Sequence, residues 1–134
     1  MIVKELEDDL SKLWIDKDGI LYSIFKKEIE INVPVCKQCI ALRHEISGGE
    51  KQYWLYDFNN IKSMPSEGKA YADKYGQDFL HATAALVHNH LQKYIVNIFI
   101  AIKKPHVPFR AFTNKQEAKN WLLKHKKANE SKSN

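Results

Sequence analysis

Residues 51–58, Lys-Gln-Tyr-Trp-Leu-Tyr-Asp-Phe, carry apolar side chains on both parities of an extended segment. Successive residues of a strand point to opposite faces, so this segment needs cover on both sides. That demand predicts a central strand sandwiched between helices. Asp18-Gly19 is a hairpin-turn signal between β-branched and aromatic residues, which predicts antiparallel strands over 13–16 and 20–25. Residues 28–31 alternate like a strand and read as a short extension or a loop. Pro34 suits the first turn of a helix that runs to about Ile46 and stops at Gly48-Gly49. A helix over 66–75 ends at Gly76, and residues 82–87 read as a buried strand. Asn89 begins a helix over 91–103, and Pro105 and Pro108 break the chain before a short strand over 108–113. Thr113 or Asn114 caps the last helix, because Gln116 and Glu117 each stand three residues on.

The order β-β-α-β-α-β-α-β-α predicts an α/β fold: a mostly parallel mixed sheet of about five strands, crossover helices and an N-terminal β-hairpin. A chain of 134 residues suits one domain. Residues 1–12 read as a helical or frayed lead-in, 13–127 as the domain, and 128–134 as a disordered charged tail. No run of apolar residues is long enough to span a bilayer, and the acidic N-terminus lacks a secretory pattern, so a cytoplasmic protein is expected.

The net charge of +5 is unevenly spread. Residues 1–90 hold 11 Lys/Arg against 14 Asp/Glu, and residues 91–134 hold 10 against 2. The basic third reads as the solvated side of a final helix plus its tail, with no aromatic-interleaved motif for nucleic acid. Cys36 and Cys39 form a C-x-x-C pair without the second pair that zinc requires. They suit the buried side of a helix, although a place near a helix start keeps a redox reading open. His88-Asn89-His90 lacks a third ligand at a metal-binding spacing, so no metal site is expected. Asp57, at the end of the central strand, reads as a loop hydrogen-bonding residue beside Asn59 and Asn60. No serine–histidine motif, paired acid or glycine-rich phosphate loop accompanies it, so neither a catalytic residue nor a cofactor is assigned. In the helix over 91–103, Leu91, Tyr94, Ile95, Ile98 and Ile102 make a stripe that Val96, Phe99 and Ile100 widen. Tyr94, Ile95, Ile98, Phe99 and Ile102 are the expected homodimer or ligand face.

The stretches DGILYSIFKK, YDFNNIKSM, AALVHN and IVNIFIAIKKPHVPFRAFTNKQEAKNWL, together with the element order, resemble the STAS fold of anti-sigma-factor antagonists. The resemblance is nearer still to small bacterial SpoIIAA-like, STAS/SEC14-like proteins, and it spans residues 14–123. STAS domains are generally not enzymes, so the resemblance implies a regulatory module that binds a protein partner. In the antagonists, the second serine of Asp-Ser-Ser-Gly at the start of a helix is the phosphorylated switch. Here Pro65 takes the place of the Asp, Ser66 of the first serine and Glu67 of the second, with Gly68 matching the glycine. A permanent charge on Glu67 would then replace a removable one, with Ser66 as a plain helix cap. Ser63, Ser66, Glu67, Gly68 and Asp57 are the expected partner surface. The SEC14 side of the resemblance implies an alternative, a carrier of a small apolar ligand such as a lipid or acyl chain. Nucleic-acid binding through the basic third is the second alternative.

Overall fold

A computed structural model describes residues 1–102 and 107–132, apart from the side chains of 99–102. The strands are β1 (Ile2–Glu7), β2 (Ser11–Asp16), β3 (Ile20–Phe25), β4 (Ile29–Glu30), β5 (Gln52–Asp57), β6 (Ile61–Ser63), β7 (Leu80–Leu86) and β8 (Phe109–Phe112). The helices are α1 (Val33–Ser47), α2 (Ser66–Tyr75), α3 (His90–Ile102) and α4 (Lys115–Lys132). Six strands form one mixed sheet in the order β1-β2-β3-β5-β7-β8. Pairings are antiparallel from β1 to β3 and parallel from β3 to β8. The short strands β4 and β6 pair in parallel beside it.

The α/β class, the hairpin and the parallel centre match the sequence expectation, but the sheet is larger by one strand. The addition is β1, where a helical or frayed lead-in was expected. Most of its side chains are exposed, so the buried alternation that marks a strand is missing from its sequence. Backbone pairing with β2 and a hydrogen bond from Lys4 Nζ to the Ile46 carbonyl (2.8 Å) hold it in place. At the other end α4 continues to Lys132, so residues 128–132 are helical rather than a disordered tail. Asn129 Nδ2 donates to the Tyr53 hydroxyl at 2.8 Å and fixes that last stretch.

The strand β5 has the two-sided cover its composition demands. Tyr53 and Leu55 face α4, with Ile20, Ala82, Ala84, Ala118 and Leu122 around them. Trp54, Tyr56 and Phe58 face the layer of α1, α2 and α3. The hairpin locks onto α4 through Asp16. Its Oδ1 accepts from the Asp18 and Ile20 amides, and its Oδ2 accepts from the Tyr22 hydroxyl at 2.8 Å. Lys119 of α4 closes the group by bridging Asp16 and Asp18.

Candidate functional site

The strand β7, between β5 and β8, reads Leu-His-Ala-Thr-Ala-Ala-Leu, and its small residues have different consequences on the two faces. Toward α4, Ala82 and Ala84 let the helix approach closely through Ala118, and all three are fully buried. Toward the other layer, the small Thr83 borders room that α1, α2 and α3 do not fill, whereas Ala85 packs into the core cluster there. The result is a partly enclosed cavity of about 100 Å³. The sheet contributes Phe25, Trp54, Tyr56 and Thr83 to its wall, and α1 contributes Cys36, Cys39, Ile40 and Arg43. Met64, just before α2, and Ala72 within it complete the side nearest the surface.

Helix α1 is set by its ends. Asn32 Oδ1 accepts from the Val35 amide at 3.0 Å, Pro34 lies in the first turn, and Gly48 closes the helix with φ of 58°. That phase turns Cys36, Cys39, Ile40 and Arg43 toward the sheet, at the i, i+3, i+4, i+7 spacing of one helix face. The Arg43 residue is only 2% exposed. Its guanidinium donates to the Asp78 carbonyl (2.7 Å) and the Gly76 carbonyl (3.0 Å), and lies 5.0 Å from the Trp54 ring. Burial lowers its pKa to about 10, against the opposing pull of Asp78, so it is still cationic at neutral pH. Burial pushes the Cys39 thiol up to about 12 and also raises Cys36, so both stay protonated. The Tyr56 phenol is raised well above its ordinary value, first by burial and then by the two cysteines. Thr83 Oγ1 is buried without a hydrogen-bond partner among the described residues, and Ser11 Oγ has only the Cys39 thiol beside it.

The start of α2 differs from the sequence expectation in one respect. Pro65, with φ −57° and ψ 157°, holds the N-cap position and has no side-chain oxygen to offer. Ser66 is therefore the first helical residue and caps nothing, which corrects its reading as the cap. Ser66 and Glu67 are exposed, with Glu67 in the first turn. Gly68 is buried, and a Cβ there would collide with the Ile31 carbonyl oxygen. Cys36 Sγ donates to the Gly68 carbonyl at 3.5 Å, so the same turn touches the cavity wall. Ser63 lies in β6 and donates to Glu30 Oε1 at 3.1 Å.

Asp57 accepts from the Asn59 amide at 2.8 Å, the loop role expected of it. Its second contact was not foreseen: Oδ1 lies 2.7 Å from His88 Nε2, at the end of the neighbouring strand. These are its partners, and Ser63, Ser66 and Glu67 are not among them. Asn89 caps α3 through a hydrogen bond from the Gln92 amide to its Oδ1 at 2.8 Å. On α3 the expected face is divided. Ile95 and Val96 are buried in the core and Ile98 is half-buried, whereas Leu91 and Tyr94 are exposed. Gln92, a polar residue, takes the inward position of the first turn, because its Nε2 donates to the Phe58 carbonyl (2.7 Å) and to that of Ile61 (3.3 Å). The side chains of Phe99 and Ile102 lie outside the described residues. Among the described residues no group of three or more His, Cys, Asp or Glu is placed to hold a metal ion. No described helix is long and apolar enough to cross a membrane.

Sequence reasoning missed Arg43 and Thr83. The signal for Arg43 was the continuation of the Cys36–Cys39–Ile40 spacing, whereas nothing in a local window marks an unpartnered threonine. The fold as a whole is SpoIIAA-like. The crystal structure of an uncharacterised DUF3478-family protein from Shewanella loihica PV-4, described as having a SpoIIAA-like fold, superposes with a TM-score of 0.62. The match covers 87% of this chain and 98% of that one at 15% identity. The chain belongs to the family DUF7793, a domain of unknown function, whose pattern covers residues 13–126. No curated protein matches the sequence.

Proposed function

We propose that this protein is a non-enzymatic binding module of STAS type that takes a small, largely apolar molecule into its interior and docks a protein partner at the start of α2. The observation that carries the reading is the cavity of about 100 Å³ between the sheet and the helical layer. Well-packed interiors contain few voids larger than a water molecule, and an apolar cavity of roughly 150 Å³ is enough to bind benzene. At about two thirds of that size, this space takes a short chain as it stands and a single ring with a small outward shift of the helices, whereas a full lipid tail requires the helices to part. Met64 and Ala72 belong both to the cavity wall and to the segment bearing Ser66 and Glu67. An occupant therefore presses on the element that presents the partner surface, and occupancy is readable from outside. Glu67 supplies that surface with a fixed negative charge at a helix start, where anionic groups are favoured.

Native mass spectrometry of the protein from its own cells tests the reading. The expected result is a bound small molecule that leaves on denaturation and is missing from a folded Thr83→Leu variant, whose larger side chain fills the space. Bare protein with either side chain would contradict the proposal.

A further inference from the structure

The polar groups of the cavity are contiguous. Thr83 is the register partner of Trp54 on the adjacent parallel strand, so the two residues stand on one face of the sheet with their backbones about 4.8 Å apart. The guanidinium of Arg43 lies 5.0 Å from the Trp54 ring. Arg43, Trp54 and Thr83 thus form one run on the cavity wall. Arg43 and Thr83 are both nearly inaccessible, at 2% and 1% exposure.

Neither polar group is fully satisfied. Guanidinium has five N–H donors, and the two carbonyl oxygens of the α2–β7 turn take two of them. Both acceptors are neutral. Among the described residues no carboxylate lies within ion-pairing distance of Arg43, and the exposed Asp78 side chain acts on it only from farther away. A buried cation compensated by neutral dipoles alone is the arrangement that most favours an incoming anion. The Thr83 hydroxyl, on the same cavity wall, has a proton to donate and no acceptor among the described residues. The lining also includes Ser23, whose Oγ accepts from Trp54 Nε1 at 2.9 Å, and Ser11, and is otherwise largely apolar, with Ile40, Phe58 and Leu80 among its residues.

We propose that the cavity takes a small monocarboxylate, with one ring or a short chain against Trp54 and the carboxylate on Arg43 and Thr83. This rests on the ligand-binding reading and adds the charge and size of the ligand. A carboxylate accepts two parallel N–H bonds from a guanidinium, and such charge-assisted pairs are about twice as strong as neutral ones. The size limit follows from the cavity volume of about 100 Å³.

Three probes of one shape test the inference on the full chain: benzoate, benzyl alcohol and benzylammonium. Binding is read from the Trp54 indole and Thr83 methyl resonances. Benzoate is expected to bind at least about tenfold more tightly than benzyl alcohol, with benzylammonium weakest. Arg43→Met should bring benzoate down to the level of benzyl alcohol while leaving the latter within about twofold. Because Arg43 also ties the Gly76–Asp78 turn, the wild-type series stands as the test if that variant does not fold. Benzyl alcohol binding as tightly as benzoate would overturn the anion assignment and leave the cavity reading standing. Unchanged benzoate affinity in folded Arg43→Met would overturn the assigned role of Arg43. Failure of all three probes to saturate these resonances would overturn both readings.

Discussion

The two faces of the central sheet are built from the same strands and solve opposite problems. Under α4, Ala82 and Ala84 meet Ala118, Leu122 fills the remaining space, and the polar groups at the margin are paired around Asp16. Under α1, α2 and α3, small side chains on β7 face helices that stay farther away, and the gap holds a buried cation and an unpartnered hydroxyl. Close packing and full pairing contribute stability. A cavity with unsatisfied polar groups forgoes part of it, and natural chains tolerate that where something binds. The α4 face therefore reads as scaffold and the opposite face as the working side.

Substitutions on the two faces should differ in sign as well as in size. Leu122→Ala, at a fully buried position of the scaffold face, should have the largest effect: a loss of about 3 kcal/mol by denaturant unfolding. Asp16→Asn should follow, at about 2 kcal/mol near neutral pH, because it weakens a carboxylate that holds the hairpin and α4 together. Burial opposes ionisation of Asp16, but hydrogen bonds from Tyr22, the Ile20 amide and Lys119 outweigh it and hold its pKa below the ordinary carboxylate value. A depressed folded-state pKa means that the ionised group stabilises the fold above the unfolded-state value and ceases to do so as pH falls through the folded one. The gap between wild type and Asp16→Asn should accordingly narrow below about pH 4.

On the working side, Thr83→Val should stabilise the empty protein by about 1 kcal/mol, since it replaces an unpartnered buried hydroxyl by a methyl group of similar size. The same change on a fully paired face would destabilise. Glu67→Gln, at the exposed first turn of α2, should have the smallest effect on stability, about 0.5 kcal/mol or less. Its consequence belongs in partner binding, where removal of the fixed charge should weaken capture at low salt more than at high salt.

How far these differences can be read from sequence depends on the range of the interactions that create them. The two-sided composition of β5, the Asp18-Gly19 turn and the glycine stop after α1 are local, and each is present in the fold. The register of α3 is not local. Gln92 turns inward because the Phe58 and Ile61 carbonyls await it, and those carbonyls lie about thirty positions earlier in the chain. β1 escaped notice because an exposed edge strand lacks a buried alternation. The start of α2 was placed correctly, but its capping depended on whether Pro65 or Ser66 held the cap position, a shift of one residue. Ligand binding was expected on the face of α3 that carries Tyr94, Ile95, Ile98, Phe99 and Ile102, whereas the cavity takes Val96 from that helix and its other described walls from the sheet, α1 and the segment around α2. The existence of the cavity depends on how closely helices can approach Thr83 on one face and Ala82 and Ala84 on the other, and residue types alone do not give that distance.

The contrast between the faces is tested most directly by a crystal structure of the protein under xenon pressure, because xenon enters dry apolar cavities and reports them as electron density. The expected result is a xenon site among Cys36, Trp54 and Thr83 and none between the sheet and α4. Xenon under α4, or none beneath α1, α2 and α3, would contradict the assignment of one face as scaffold and the other as binding side.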